Sequence, residues 1–465
     1  MIKYQIPSDK LILRPNILFI VIDSLRKDKC YGENKTSLTP HIDNLIQSGT
    51  CFDWAFSSVG STGSSLASIF TSLFPFKTGM SSEKYQKLHS EAISFVSFLN
   101  DNDYHTYAAS TPIASALGLI DNFKNKERHY HNYYSLFDGL GDEILSSFQS
   151  NYFQSPWFFY IHLNDLHQPI IVPESFKDEK FGDSNYDKML SSIDHWIGKL
   201  LEKINLSETI VIITSDHGEY LGTISKEKNL NLESDEIEQF LWKTGNKLPV
   251  FMRPLKLKIS NYLRAKRKKK KESKINELSL STYERRLLLG SRLNKGHHMY
   301  DDILHVPLIF SGYNIKKQKI SQLVRHVDIF PTLFEIINLK INHQIHGRSL
   351  VALMNNSLLD ELPTYIESPP TIEQSRKKMI GLRTSNFKFI RQLTESPNPT
   401  IELYDLKNDP HEEYDISKTS PEIVKNYEKI LQEIIKDSID KNSFSEISDE
   451  HHDEIENELR KLGYL

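Results

Sequence analysis

Residues Asn16–Ile22 read NILFIVI, an unbroken apolar run rich in β-branched residues that stops at Asp23-Ser24. A strand that is apolar on both faces is typical of the middle of a parallel sheet, because helices cover such a sheet on both sides. Three further runs have the same character: WFFYIHL at 157–163, TIVIIT at 209–214 and VPLIF at 306–310.

Helix-like patterns separate these runs, for example at 92–100 and 186–204. Strands that alternate with helices predict an α/β fold with a large, mostly parallel central sheet flanked by helices. Ligands of such sheets bind beyond the carboxyl ends of the strands. Polar residues follow three of the predicted strands at that position: Asp23, then Asp165 with His167, then Asp216 with His217.

The overall composition excludes several classes of protein. The chain has 465 residues and a net charge of −4, so it has no general preference for nucleic acid. Its two cysteines, Cys30 and Cys51, are too few for a disulfide framework. No signal peptide is recognisable, and no apolar run approaches the ~20 residues of a membrane span. We therefore expect a soluble, cytoplasmic protein without an integral membrane segment.

The composition and pattern of the sequence change at two places. Residues 223–294 form a charged insertion that contains RAKRKKKK, a basic run from Arg264 to Lys271. Beyond 350 the predicted strands are shorter, and the chain ends in an acidic, helical tail. We predict a catalytic domain over 1–350, interrupted by the insertion, and a small C-terminal α+β subdomain with the tail over 351–465.

The strand-end residues offer carboxylate oxygens and imidazole, a mixture that suits a divalent cation such as Mn²⁺ or Zn²⁺. Each aspartate taken alone could equally cap a helix. Thr62 stands in GSTGSS, just before the helix-like LASIFT. Free backbone N–H groups at a helix start favour an anion, and a hydroxyl bound to a metal there would become a nucleophile. The alternative is a Ser/Thr-rich cap without chemistry.

Over nearly its whole length the sequence resembles the sulfatase branch of the alkaline phosphatase superfamily. This resemblance implies an alkaline-phosphatase-like sandwich. The matching motifs are, in chain order, 16–26 with Asp28, 39–45 with Gly49, Phe52 and Ala55, 67–75 with 78–80, 162–169, Asp194 with Gly198, 214–222, 295–302, 306–309, 326–333, 347–350, 403–406 with Asp409, Pro410 and Glu412, and 462–464.

The nucleophile position departs from the family pattern. Family sulfatases carry Cys or Ser followed by x-Pro-x-Arg, and that residue is converted to formylglycine. Here Thr62 occupies the position, with Ser64 in place of Pro and Leu66 in place of Arg. The resemblance thus implies no formylglycine and is closer, at this residue, to lipoteichoic-acid synthases and phosphoethanolamine transferases, which use threonine on phosphodiesters.

By position, the resemblance implies one divalent metal ion held by Asp23, Thr62, Asp216 and His217. Ser24 stands where a second aspartate is usual, and His217 where asparagine is frequent. Fewer carboxylates and one imidazole favour Mn²⁺ or Zn²⁺, with Ca²⁺ or Mg²⁺ as alternatives.

The resemblance further implies that His167 and His297 bind the anion and protonate the leaving group, and that Lys295 is a second anion contact. The stretch Lys295-Gly296-His297-His298 leaves the last two assignments open by one or two residues.

Three functions follow as hypotheses. The first is a metal-dependent hydrolase or transferase that cleaves phosphate or phosphonate esters, including phosphodiesters, by in-line attack of metal-bound Thr62. The second is a sulfuric ester hydrolase that uses Thr62 without formylglycine. The third, from another class, is a weakly catalytic protein that binds a polyanion or an anionic lipid surface through the basic run from Arg264 to Lys271; a solvated loop is the plain alternative.

Overall fold

The computed structural model describes residues 14–32, 35–81, 87–125, 135–149, 152–168, 170–221, 269, 272–273, 275–289, 297–370 and 377–436. Lys295, most of the predicted insertion and the C-terminal acidic tail lie outside these residues. Of the basic run that ends at Lys271, only Lys269 is described.

The larger sheet contains the strands β1 Asn16–Ile22, β2 Thr50–Phe56, β3 His105–Ala109, β4 Trp157–Leu163, β5 Thr209–Thr214, β6 His305–Gly312 and β7 Gln318–Arg325. Their order across the sheet is β3-β4-β1-β5-β6-β2-β7. The β3, β4, β1 and β5 strands are parallel, and β2 is parallel to β7. Only β6 runs against its neighbours β5 and β2. The predicted mostly parallel sheet is confirmed.

The described helices are α1 Lys27–Cys30, α2 Pro40–Ser48, α3 Thr62–Thr71, α4 Pro75–Thr78, α5 Phe95–Asp101, α6 Pro112–Ala116, α7 Leu140–Ser147, α8 Asn185–Leu201, α9 Thr282–Leu289, α10 Asp301–Leu304, α11 Ile329–Ile336, α12 Val351–Met354 and α13 Pro421–Ile435. The helix expected at 186–204 is therefore α8, and the one expected at 92–100 is α5, which begins three residues later because the Ser94 side chain caps it.

Side chains alternate between the faces of β1, and each face is covered by helices. Phe19 and Val21 pack with Leu66 and Phe70 of α3. Leu18 and Ile20 pack on the other face, where Ile193 of α8 belongs to the same apolar cluster. Burial on both faces explains why the strand is a continuous apolar run rather than an alternating one.

A smaller antiparallel sheet follows, formed by β8 Thr364–Glu367, β9 Met379–Arg383, β10 Phe387–Gln392 and β11 Ile401–Asp405 in the order β11-β10-β9-β8. Helix α13 packs on it through Tyr427 and Leu431. A third apolar cluster joins this sheet to the larger one, with Ile366 and Ile390 next to Phe56 and Leu304. The predicted division near 350 stays a prediction, but the additional sheet confirms the α+β character of the C-terminal part.

Candidate active site

The ends of β1 and β5 bring two carboxylates together in the interior. Asp23 directly follows β1, and its backbone N–H donates to the carbonyl of Leu163 at the end of β4, 2.8 Å away. Asp216 stands two residues beyond β5. Asp23 is 2% exposed and Asp216 is fully buried. Two ionised carboxylates cannot be stable side by side in the interior without a counter-charge.

Thr62 faces both strand ends from the first position of α3. Its hydroxyl Oγ1 is 3.2 Å from Asp23 Oδ2 and 3.3 Å from His217 Nε2. The residue is 5% exposed, and all ten residues of α3 are buried. The N-cap residue Ser61 makes no capping hydrogen bond with its side chain, and a helix start of this kind favours an anion.

Ser65 fixes α3 against the strand end. Its hydroxyl donates to the carbonyl oxygen of Asp216 over 2.7 Å and lies 3.2 Å from His326 Nδ1. Burial lowers the pKa of His326 to about 3, with a further contribution from His217, so the ring is neutral at pH 7. The Ser65–His326 contact thus holds the Thr62 helix in place through neutral hydrogen bonds.

The orientation of His217 follows from its backbone neighbours. Nδ1 lies 2.8 Å from the carbonyl oxygen of Gly218, and because a carbonyl can only accept, Nδ1 carries the proton. In the neutral ring, Nε2 therefore turns a lone pair toward Thr62. Burial lowers the pKa of His217, but the carboxylates of Asp216 and Asp23 raise it more, and the net pKa lies above the usual value.

The pKa of Asp23 is shifted the opposite way. Burial raises it, but the close approach of His162 and the charges of His217 and His167 together lower the pKa well below its usual range. Asp23 is therefore ionised at neutral pH, as a metal ligand must be.

Ser24 supports the carboxylates in place of a further ligand. It adopts a left-handed conformation with φ of +64°. Its hydroxyl donates to Asp23 Oδ1 over 2.7 Å, and its backbone N–H donates to Asp216 Oδ1 over 3.1 Å. One oxygen of each carboxylate is thus occupied, while Asp216 Oδ2 has no hydrogen-bond partner among the described residues.

The structure brings the four predicted metal ligands together but separates the predicted acid candidates. His167 is half-buried in the loop after β4, and its charge acts on Asp23. His297 turns to the small sheet, where Nε2 lies 3.1 Å from Glu402 Oε2. His298 is buried, has φ of +54° and has its ring 6.0 Å from the ring of Tyr220.

Two glycines allow the segment that carries His298 to lie against the site. A Cβ at Gly60, two residues before Thr62, would come within 2.4 Å of Ile303 and 3.1 Å of the His298 carbonyl. A Cβ at Gly218 would come within 2.3 Å of the carbonyl of Asp302. This close approach places His298, rather than His297, beside the loop that leads to Thr62.

Sequence reasoning missed His162. His162 lies on β4 and pairs with Val21 of β1. Val21 also pairs with Thr214 of β5, so the three side chains share one face of the sheet. Asp23 and Asp216 stand two residues further on and return to that face, because side chains alternate along a strand. Donor atoms of Asp23, His162 and Asp216 all lie within 4.8 Å of one another, an arrangement that fits a bound cation.

Comparison with protein families agrees with this geometry. Residues 15–278 match the family model described as Sulfatase, which is more than half of the chain. The chain belongs to the sulfatase family. Residues 292–440 match the model described as N-sulphoglucosamine sulphohydrolase, C-terminal.

Among curated relatives, this sulfatase-family chain is 30% identical to Arylsulfatase K of Gallus gallus over 144 residues, which cover 30% of the chain and only 27% of the chicken protein. Solved structures are similar over nearly the full length. A putative sulfatase from Bacteroides thetaiotaomicron has a TM-score of 0.65 and 16% identity, with 94% and 96% of the two chains covered. Phosphonate monoester hydrolase SpPMH from Silicibacter pomeroyi has a TM-score of 0.63 and 14% identity, with 94% and 98% covered.

In the described part of this sulfatase-family chain, none of the helices combines the length and the apolar character that crossing a bilayer requires.

Proposed function

We propose that this chain is a metal-dependent hydrolase or transferase that cleaves phosphate or phosphonate esters with Thr62 as the nucleophile. The observation that carries the proposal is the position of the Thr62 hydroxyl, within 3.3 Å of both Asp23 and His217 at the start of α3. A nucleophile, an acceptor for its proton and an anion-binding helix end thus occupy one buried place.

The cation fits the site because the buried carboxylates of Asp23 and Asp216 converge there with the His162 imidazole. Asp23, Asp216 and His217 would hold it together with the Thr62 oxygen. A divalent cation lowers the pKa of a hydroxyl and neutralises charge on a transferring group. Two carboxylates with imidazole favour Mn²⁺ or Zn²⁺ over Ca²⁺, which prefers six to eight oxygens.

The chain's own residues supply the remaining steps. The Thr62 proton passes to the Asp23 carboxylate, whose Oδ2 lies 3.2 Å from the Thr62 hydroxyl. The backbone N–H groups at the start of α3 bind the oxygens of the transferring group. His167, whose charge acts on Asp23, is a candidate to protonate the leaving group, and His298 is a second candidate by its position beside Gly60.

Phosphorus is favoured over sulfur by the residues around Thr62. Threonine cannot become formylglycine, and Leu66, in the position where family sulfatases carry arginine, is fully buried in the apolar core. The first turn of α3 therefore offers no cation to an ester oxygen. A sulfuric ester hydrolase that uses Thr62 directly is the second candidate, and the family match and the curated arylsulfatase relatives favour it.

Binding of a polyanion or an anionic lipid through the basic run from Arg264 to Lys271 stays a prediction from sequence, and so does a cytoplasmic location.

The decisive experiment is turnover of bis-p-nitrophenyl phosphate, p-nitrophenyl phosphate, phenyl p-nitrophenyl phosphonate and p-nitrophenyl sulfate by protein loaded with Mn²⁺ or Zn²⁺. We expect the phosphorus esters to be the better substrates and Thr62→Ala to lower their turnover by at least about 10³-fold, as for other nucleophile deletions. Thr62→Ser keeps the hydroxyl and is the matched control. Turnover that survives in Thr62→Ala would overturn the assignment of the nucleophile, and sulfate-only turnover would favour the second candidate.

A further inference from the structure

His162 is buried, and neither nitrogen of its ring has a hydrogen-bond partner among the described residues. The side chain is 0% exposed. Leaving a buried polar group unsatisfied costs about 1–3 kcal/mol, so such groups are rare in folded proteins. The ring nitrogens of His162 are therefore available to a further binding partner.

The unsatisfied ring faces the carboxylates. His162 Nε2 is 3.5 Å from Asp23 Oδ2, beyond a good hydrogen bond. Asp216 is the third member of the group that converges within 4.8 Å, and its Oδ2 is buried and has no hydrogen-bond partner in the described structure. Two independent features, an orphan imidazole and an orphan carboxylate oxygen, thus point at the same small volume.

The distances between the donor atoms suit a shared cation. Zn²⁺ bonds to oxygen and nitrogen are about 2.0–2.1 Å long, so neighbouring donors around an ion with four or five ligands lie about 2.9–3.5 Å apart. In this site, neighbouring donors are 3.2 Å apart for Thr62 and Asp23 and 3.5 Å for His162 and Asp23. His217 Nε2 and Asp216 Oδ2 are likewise 3.5 Å apart. Asp23, His162 and Asp216 thus surround one small volume, and His217 lies beside it through its contacts with Asp216 and Thr62.

The balance of charge supports the same assignment. Two ionised carboxylates and two neutral imidazoles around a divalent cation sum to zero, which is what a buried site requires. The competing role for His162 is to orient Asp23 through a hydrogen bond without touching the cation.

From these contacts we propose that His162 is a direct ligand of the divalent cation, in addition to Asp23, Asp216 and His217. The inference rests on the proposed metal-dependent function and deepens it, because a set of two carboxylates and two imidazoles selects Mn²⁺ or Zn²⁺ more strongly than Ca²⁺.

The test is pulsed EPR of the Mn²⁺-loaded full chain, in which directly bound imidazole nitrogens modulate the electron-spin echo. The variants are His162→Phe, which fills the space without a donor, and His162→Gln, which places an amide oxygen near the former Nε2. His195→Asn, on the exposed face of α8, is the matched histidine control. We expect two bound nitrogens in the unmodified protein and in the control, and one in both His162 variants.

Calorimetric titration with Mn²⁺ and Zn²⁺ gives a second readout independent of turnover. We expect His162→Phe to bind at least about tenfold more weakly, His162→Gln to lie between it and the unmodified chain, and circular dichroism to show that both variants are folded. Two bound nitrogens and unchanged affinity in folded His162→Phe would overturn the inference and leave the orienting role. If the unmodified protein binds neither Mn²⁺ nor Zn²⁺, the proposed function itself fails, so the two failures are distinguishable.

Discussion

The protein contains two buried clusters of charged side chains that are built differently. In the first, which we call the balanced cluster, Lys388 Nζ lies 2.6 Å from Asp301 Oδ1 and 2.5 Å from Glu412 Oε1. Arg383 Nη2 lies 2.9 Å from Asp301 Oδ2. Two cations thus meet two anions, and the formal charge of the balanced cluster is zero.

The second cluster, which we call the open cluster, contains Asp23, His162, Asp216 and His217. Among the described residues its two carboxylates form ion pairs only with imidazoles, and Asp216 Oδ2 and both nitrogens of His162 have no hydrogen-bond partner there. Burial of charge therefore does not by itself identify a binding site. Burial with charge left uncompensated does, because such an arrangement becomes stable only when a ligand completes it.

The balanced cluster also helps to position a segment that lies against the open cluster. Lys388 Nζ donates to the carbonyl of Met299 over 2.9 Å, and the N–H of Asp301 donates to Glu412 Oε2 over 2.8 Å. Both contacts hold the segment that carries His298. The small sheet therefore determines where one wall of the site lies.

The largest effect is expected from breaking the balanced cluster. Lys388→Met leaves Asp301 and Glu412 with one cation fewer, and removal of one partner from a buried ion pair costs about 3–5 kcal/mol. Urea unfolding should show this loss, while Lys407→Met on an exposed turn should change the free energy of unfolding by less than about 0.5 kcal/mol.

A second substitution makes that prediction specific. Adding Glu412→Gln to Lys388→Met removes the uncompensated carboxylate and should recover part of the lost stability. If Lys388→Met lowers the free energy of unfolding by less than about 1 kcal/mol, or if the double variant recovers none of it, the charges of the balanced cluster do not compensate one another.

In the open cluster, removal of a charged side chain is not expected to lower the free energy of unfolding. Asp216→Asn removes one of two uncompensated carboxylates, so in EDTA the variant should be at least as stable as the unmodified protein. When the metal is present at 100 times its dissociation constant, the unmodified protein should gain about 2.7 kcal/mol, and the variant should lose most of this gain. Thermal unfolding with and without Mn²⁺ measures both effects.

The exposed Asp142→Asn on α7 is the control for a lost carboxylate and should keep the full metal-induced gain. Strong destabilisation of Asp216→Asn in EDTA would show that the open cluster is compensated within the protein after all.

The smallest effect concerns Asp194, a buried carboxylate that backbone groups satisfy. The N–H groups of Ile42 and His41 donate to it over 2.7 and 3.2 Å. Burial raises the pKa of Asp194 to about 6, although these hydrogen bonds lower it in part. Because the folded state then binds the proton more tightly than the unfolded chain does, stability should fall as the pH rises from about 4 to 6.

Each pKa unit is worth about 1.4 kcal/mol, so we expect this part of the fall to be about 1–2 kcal/mol. Asp194→Asn keeps an acceptor oxygen and should remove that part, as urea unfolding at pH 4, 5, 6 and 7 would show. An identical pH dependence in the two proteins would contradict the raised pKa.

The sequence predicted the sheet and the strand-end aspartates because continuous apolar runs and the polar residues that end them are local signals. Asp23, Asp216 and His217 were predicted as site residues from these signals, whereas Thr62 was predicted from its place before a helix-like segment and from the family resemblance. The antiparallel direction of β6 was not, since an apolar run has no direction of its own. His162 was missed for a related reason: within WFFYIHL, the face of each side chain depends on the register with β1, which the run alone does not show.

The burial of Leu66 has a consequence for the history and redesign of this chain. Substituting cysteine for Thr62 and proline for Ser64 would restore two letters of the formylglycine motif, but arginine at 66 would replace a leucine that is fully enclosed in the apolar core. That third change requires neighbouring positions to change with it. A return to the usual sulfatase chemistry is therefore separated from this sequence by the packing of a helix, not by two or three point substitutions.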